Sequence, residues 1–255
     1  MSIENSYSVI LPTLNEVGHI NSLIEDISNI FKKQNVQYEI IIVDDNSKDG
    51  TLEEIFKIDD PQIILHKRIN KKKSLVESLN EGIYLSKNKY IIWMDADYSH
   101  PPNYINNFIE IKNKNNFELI FFSRFLKNSK RYYSDINKKK AGIDFLSNFL
   151  NKICNFFLFS DFTDYTSGYI CINSEIIKNI KLKGYYGDYF ITLITKCKLA
   201  GHSIIEIPFV EKDRASGFSK TTGNKLNLII KCYFYFIAFN KSFFQKKFRF
   251  FLSQK

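Results

Sequence analysis

The chain has 255 residues, of which 44% are hydrophobic and 25% charged, so it is not a disordered segment and is long enough for a sizeable α/β core. Its net charge of +9 sits at one end: nine of the 36 basic residues follow Asp213, where no acidic residue occurs, and the other 27 balance the 27 acidic ones. A neutral body without a recognition motif argues against nucleic acid as a partner. Four widely spaced cysteines, Cys154, Cys171, Cys197 and Cys232, form no Cys-x-x-Cys pair. They argue against a zinc site or disulfide framework and for a reducing compartment. Met1–Ser6 is polar, so no N-terminal targeting segment is expected.

Taken in order, short apolar runs alternate with helical spacing. Ser8–Leu11, Glu39–Val43, Ile63–Leu65, Tyr90–Trp93 and Leu119–Phe122 read as buried parallel strands. Ile20, Leu23, Ile24, Ile27, Ile30 and Phe31 predict a helix between the first two strands. Leu75, Leu79 and Ile83 predict another before the fourth, and Ile105, Phe108 and Ile109 one after it. This alternation predicts a doubly wound, mostly parallel sheet, with ligands bound beyond the carboxyl ends of its strands. Further on, Gly142–Phe157 and Gly187–Leu199 read as helices, with Tyr169–Ile172 and Ile204–Ile207 as strands. No linker or repeat divides the body. The expected division is a catalytic domain, residues 1–223, and a tail, residues 224–255.

Three strand ends carry polar and acidic residues: Pro12-Thr13-Leu14-Asn15-Glu16, Asp44-Asp45-Asn46-Ser47 and Asp95-Ala96-Asp97. One such end normally caps the next helix; three on one edge point to a site. Asp95 and Asp97 would repel each other unless a cation lies between them. Their spacing suits one hard divalent ion, Mg²⁺ or Mn²⁺, completed by substrate phosphate oxygens.

In order along the chain, "VILPTLNE" (Val9–Glu16), "EIIIVDDNSKDGT" (Glu39–Thr51), "MDADYSHPP" (Met94–Pro102), "FFSRF" (Phe121–Phe125), "DYTSGY" (Asp164–Tyr169) and "DRASGFSK" (Asp213–Lys220) resemble glycosyltransferase family 2. Within it they are similar to the polyprenyl-phosphate sugar synthases of the dolichyl-phosphate mannose synthase type. The resemblance implies a GT-A fold and metal-dependent, inverting transfer of a hexose, mannose first among the candidates. The donor would be a nucleoside diphosphate sugar, GDP-mannose or a UDP-hexose, and the acceptor a lipid phosphate. Carried over by position, Pro12, Leu14, Glu16 and Val43 would line the nucleoside pocket and Asp45 would bond the base. Asp95, Ala96 and Asp97 would lie against ribose, diphosphate and metal. Arg124 would face the donor phosphates or the acceptor, and Arg214 and Lys220 would serve the phosphates as a late basic pair. The chain departs from the family at Leu14, usually aromatic, at Lys71-Lys72-Lys73-Ser74, usually a small turn, and at Ile170, often arginine. Thr192 stands where an acid is common, with Asp188 one helical turn earlier as its substitute. Ser99 stands where some relatives carry Gln, and His100 is expected to fix the Pro101-Pro102 turn.

The basic tail is interleaved with aromatics, and its apolar run Leu226–Phe239 is too short and too interrupted by Lys231 to span a bilayer. It reads as a membrane-surface helix that holds the enzyme peripherally at the cytoplasmic face of a membrane. A helix packed on the core is the competing expectation. Two other functions share these motifs: a family 2 transferase acting on a glycan hydroxyl, and a catalytically silent nucleotide-sugar binding protein.

Overall fold

Strand β1 (Ser6–Thr13) is buried on both faces, as a run of Tyr, Val, Ile and Leu without polar alternation requires of a central parallel strand. The computed structural model describes residues 5–131, 141–212 and 225–252. After β1 come α1 (Ile20–Gln34), β2 (Gln37–Asp44), α2 (Thr51–Ile55), β3 (Ile63–Lys67), α3 (Leu75–Leu85), β4 (Tyr90–Trp93) and α4 (Ile105–Lys114). Then follow β5 (Leu119–Ser123), β6 (Lys130–Arg131), α5 (Ala141–Phe157), β7 (Ile170–Asn173), α6 (Ser174–Lys178), α7 (Tyr189–Ala200), β8 (Ile204–Pro208), β9 (Val210–Glu211) and α8 (Lys225–Leu252).

Seven strands form one sheet in the order β3-β2-β1-β4-β7-β5-β8, parallel except for β7, which runs antiparallel between β4 and β5. The chain order reverses between β1 and β4, which is the switch point where open sheets bind ligands. Parallel register sets Pro12 beside Val43 and Ile10 beside Trp93, so β2, β1 and β4 release their acidic ends onto one edge. Strands β6 and β9 make a separate two-stranded ribbon that the sequence did not signal.

Alternate side chains feed two cores. Ile40 and Ile42 face α1 and α4, whereas Ile41 and Val43 face the side closed by α3, α7 and α8. Ser74 caps α3 by accepting the Glu77 N–H at 3.3 Å. All four cysteines are free.

The tail is one helix of 28 residues, twice the length of its apolar run. Ala238 and Ser242 are buried, and Tyr235, Phe239 and Phe243 pack on the core beside α7. Tyr235, Phe239 and Phe243 are half-buried, so each contributes less than the roughly 1.5–3 kcal/mol of a fully buried large side chain. Lys246 donates to the Phe157 and Leu158 carbonyls at the end of α5, where a cation also meets the negative end of the helix dipole. The opposite face leaves Tyr233, Phe236, Phe244 and Phe248 exposed. The inner face thus meets the expectation of a helix packed on the core, and the outer face is apolar and exposed. No described helix is long and apolar enough to cross a membrane.

Candidate active site

The site is built where β1, β2 and β4 end. Asn15 turns the chain with φ 55°, and the loop it starts is stitched to the loop after β2. Asn15 N–H donates to Ser47 Oγ at 2.8 Å, Lys48 N–H to Asn15 Oδ1 at 2.9 Å, and Glu16 N–H to Thr51 Oγ1 at 2.9 Å. Asp44 and Asp49 brace this turn, accepting from Ser47 and Thr51. Pro12 and Leu14 are half-buried at the edge, and the buried Glu16 carboxylate meets His19 Nε2 at 3.1 Å. Val43 sits at the predicted strand end, but its side chain is wholly inside the core, so its contribution to a pocket is positional.

Asp45 has partners that the sequence reading did not anticipate. Its Oδ1 accepts from Arg68 Nη1 at 2.5 Å and its Oδ2 from the Ser74 N–H at 2.6 Å. Arg68 is buried and also donates through Nε to Glu81, which Lys71 and His66 bond as well. Burial pushes the Glu81 carboxyl up, but the hydrogen bonds from Lys71, His66 and Arg68 outweigh it and bring the pKa down to about 2. The unusual Lys71–Ser74 turn is thus pinned to both carboxylates. The apolar run of this strand ends at Leu65, whereas β3 runs on to Lys67, so nothing in the sequence marks Arg68 as a strand-end residue.

On β4's exit, Asp95 and Ser99 line a cavity of about 550 Å³, while Asp97 is buried beneath the loop. Asp97 Oδ1 accepts from Ser99 N–H at 3.0 Å and Ser99 Oγ at 2.6 Å. The Asp95 N–H donates to His100 Nδ1 at 2.9 Å, and the His100 ring stacks on Tyr169 at 5.0 Å. His100 is therefore a brace for the Asp95 turn. Ala96 is buried between the two carboxylates. Among the described residues no cluster of three His, Cys, Asp or Glu side chains forms a cage. This donor set fits a divalent ion that takes one or two carboxylates and draws its other ligands from a diphosphate.

Arg124 follows β5 and lines the same cavity. Its Nε and Nη2 grip Asp164 at 2.8 and 2.9 Å, and Nη2 reaches the Thr166 carbonyl at 2.8 Å. Burial disfavours both charges, but each partner's charge prevails: the guanidinium pKa rises and the Asp164 carboxyl is held below its ordinary value. Asp164 opens the "DYTSGY" segment, and its role is to fix Arg124 at the cavity wall. Asp188 is less available than its position suggested. Its Oδ1 accepts the Tyr185 and Tyr186 N–H groups at 2.9 and 2.7 Å, bracing its own loop. Arg214 and Lys220 lie outside the described residues. The chain before them is last described at Lys212, whose N–H donates to the Ser99 carbonyl at 3.3 Å.

The cavity does not stop at the strand edge. It continues between α5 and α8 over Leu150, Ile153, Leu228 and Phe239, and its lining includes Phe149 and Phe236, both more than half exposed. A polar inner end and an apolar outer limb thus share one space.

The family profile described as "Glycosyl transferase family 2" matches residues 8–181, more than half of the chain. The chain belongs to glycosyl transferase family 2. It is 30% identical over 224 residues to a dolichol-phosphate mannosyltransferase of Pyrococcus furiosus, covering 86% of this chain and 60% of that protein. It is 34% identical over 110 residues to the dolichol-phosphate mannosyltransferase of Saccharomyces cerevisiae, covering 40% of this chain and 38% of that one. The chain thus spans less than two thirds of the length of these relatives. Among solved structures, glucosyl-3-phosphoglycerate synthase from Mycobacterium tuberculosis with Mn²⁺, UDP and glucosyl-3-phosphoglycerate has a TM-score of 0.67 at 16% identity. That match covers 93% of this chain and 80% of the synthase, and establishes the GT-A fold. The same synthase was also crystallised with Mg²⁺ and UDP.

Proposed function

We propose that the enzyme transfers a hexose, with mannose the first choice, from GDP-mannose or a UDP-hexose to a polyprenyl or dolichyl phosphate, with inversion and with Mg²⁺ or Mn²⁺. The observation that carries this reading is the cavity itself, which joins Asp95 and Arg124 to an apolar limb opening beside exposed aromatics. A soluble acceptor has no use for that limb. The two mannosyltransferase relatives support the same acceptor class.

In this reading Asp45, held in place by Arg68 and the Ser74 N–H, would accept from the base through the lone pairs those bonds leave. A divalent ion held by Asp95 and Asp97 would supply charge neutralisation to the departing diphosphate. Arg124 stays protonated and fixed by Asp164, so its charge is already oriented when negative charge moves through the site. Arg214 and Lys220 are assigned to the same diphosphate. A lipid phosphate is ionised at neutral pH and needs no general base. A glycan hydroxyl would need one, and Asp188, the candidate from sequence, is committed to its loop.

The exposed faces of α5 and α8 carry Phe145, Phe156, Tyr233, Phe244 and Phe248, with Lys241, Lys247 and Arg249 among them. Aromatics plus unopposed cations suit an anionic bilayer, on which the cavity mouth would open. The test is a panel of nucleotide sugars incubated with polyprenyl phosphate and Mg²⁺ or Mn²⁺. Label passing into organic solvent supports the proposal; label retained on a water-soluble acceptor overturns it.

A further inference from the structure

Among the described residues, six other than glycine have a left-handed backbone. Five are asparagines, whose short amide side chain tolerates that conformation. The sixth is Tyr98, with φ 64°, and it stands between Asp97 and Ser99 at the cavity's acidic edge. A bulky residue there is an outlier that persists only where its surroundings hold it. Here the Tyr98 hydroxyl donates to Asp26 Oδ2 on α1 at 2.8 Å, and the half-buried ring packs on the core that α1 and α4 close. Its centroid lies 6.4 Å from that of His19, the partner of Glu16. The ring thus leaves the loop towards α1, whereas Asp95 and Ser99 line the cavity. The turn at Tyr98 carries the chain back so that Ser99 N–H and Oγ both donate to Asp97 Oδ1. Folding does not call for a tyrosine at this point, since asparagine or glycine makes the same turn with less strain.

We propose that Tyr98 is a positioning residue for the cation site: anchored on α1 through Asp26, it holds the turn that fixes the Asp97 carboxylate before an ion and a diphosphate arrive. This rests on the functional reading above, in which Asp95 and Asp97 take a divalent ion. It deepens that reading by assigning the orientation of Asp97 to a residue on the far side of the loop. A carboxylate already turned and bonded loses less freedom when it takes up an ion. Groups that orient a metal ligand from behind accordingly change metal affinity by about 10–100-fold when removed. Tyr98 acts through Asp97 and Ser99 rather than by touching the ion, so its loss should show first in cation affinity.

The full chain is titrated with Mn²⁺ in the presence of UDP and, separately, of GDP. Bound ion is read from water-proton relaxation, which rises when Mn²⁺ sits on a macromolecule, so no turnover is needed. Wild type is compared with Asp97→Asn, Tyr98→Asn, Tyr98→Phe and Asp26→Asn. Tyr98→Asn places a residue suited to the left-handed region but removes the anchor, and should weaken Mn²⁺ binding about tenfold while circular dichroism stays native. Tyr98→Phe keeps the ring and loses the bond to Asp26, so it should fall between that variant and wild type. Asp26→Asn still offers an amide oxygen to the Tyr98 hydroxyl and should bind the ion as wild type does. The ion concentration for half-maximal turnover should rise in the same order. If Tyr98→Asn and Tyr98→Phe hold Mn²⁺ as tightly as wild type, the inference is overturned and the cation site stands. If wild type and Asp97→Asn bind Mn²⁺ alike, the cation reading itself fails. Should Tyr98→Asn not fold, Asp26→Ala removes the same hydrogen bond from an exposed position on α1 and should weaken Mn²⁺ as Tyr98→Phe does; unchanged affinity refutes the positioning role.

Discussion

The strand edge and the helical face that share the cavity are built on different physics. At the edge, positions follow from parallel register, and each loop is tied down by short side chains bonding backbone N–H groups, as in Asn15 to Ser47 and Ser99 to Asp97. On the helical face such bonds also occur, as where Asp188 accepts the Tyr185 and Tyr186 N–H groups, but they brace single loops and do not set the wall. There the wall is assembled by packing α5, the Tyr185–Asp188 loop and α8, three segments remote in sequence. The difference teaches that one cavity can combine an edge held rigid by local bonds with a wall that helix packing alone sets and that can change without disturbing the edge.

The largest expected effect lies where the two regions join. Asp164→Asn removes the carboxylate that neutralises Arg124 and leaves a guanidinium largely out of water. A loss of about 3–5 kcal/mol is expected, read by denaturant unfolding at neutral pH. An unchanged unfolding midpoint would mean that Arg124 is effectively solvated. Next, Asp97→Asn should lower kcat by about 10²–10³-fold, comparable with removal of an oxyanion donor, while circular dichroism stays native. EDTA should silence the wild type and Mg²⁺ or Mn²⁺ restore it; full activity in excess chelator would refute the cation site.

The helical face can be challenged without touching the edge. Phe244 and Phe248 are 65% and 66% exposed. Phe244→Ser with Phe248→Ser should therefore leave the melting temperature alone, yet forfeit roughly 1.5–3 kcal/mol per inserted ring in co-sedimentation with anionic vesicles. Binding should also weaken with salt as the Debye length contracts from about 8 Å towards 3 Å. Removing all of α8 is a different experiment, because its inner seam closes a core and walls the cavity. A smaller effect is expected at Gly187, where alanine would drive a methyl group against the Tyr235 hydroxyl. The cost should be about 1–3 kcal/mol of overpacking, relieved in part by adding Tyr235→Phe.

The smallest effect is an acid limb. Glu81 has its folded pKa lowered from 4.5 to about 2, so its contribution is present above 4.5 and fades as pH falls towards 2. Melting temperature followed from pH 6 to pH 2 should show that fade in wild type and a flatter limb in Glu81→Gln, modest because the carboxylate is partly exposed.

Strand positions, the acidic edge and the order of the family motifs were legible in the sequence because each is a local pattern. Apolar runs of four to eight residues bury as parallel strands whatever packs on them, and the residues that follow must surface on the same edge. The apolar run in the tail ends at Phe239, where hydropathy fades; the helix runs on to Leu252 because its seam through Ala238 and Ser242 continues to find the core. The sequence pattern gave Val43 a pocket role that burial confines to position, and it offered Asp188 as an acid where backbone N–H groups had prior claim. Arg68 on Asp45, Asp164 on Arg124 and Tyr98 on Asp26 had no signal at all. Each is a pairing across 23, 40 or 72 residues, and pairing of that kind exists only once the chain has closed on itself. The sequence alone determined which residues surface at the sheet's edge, because period and propensity act over a few residues; the tertiary structure decided what each surfaced residue touches, because contact is a property of distance in space.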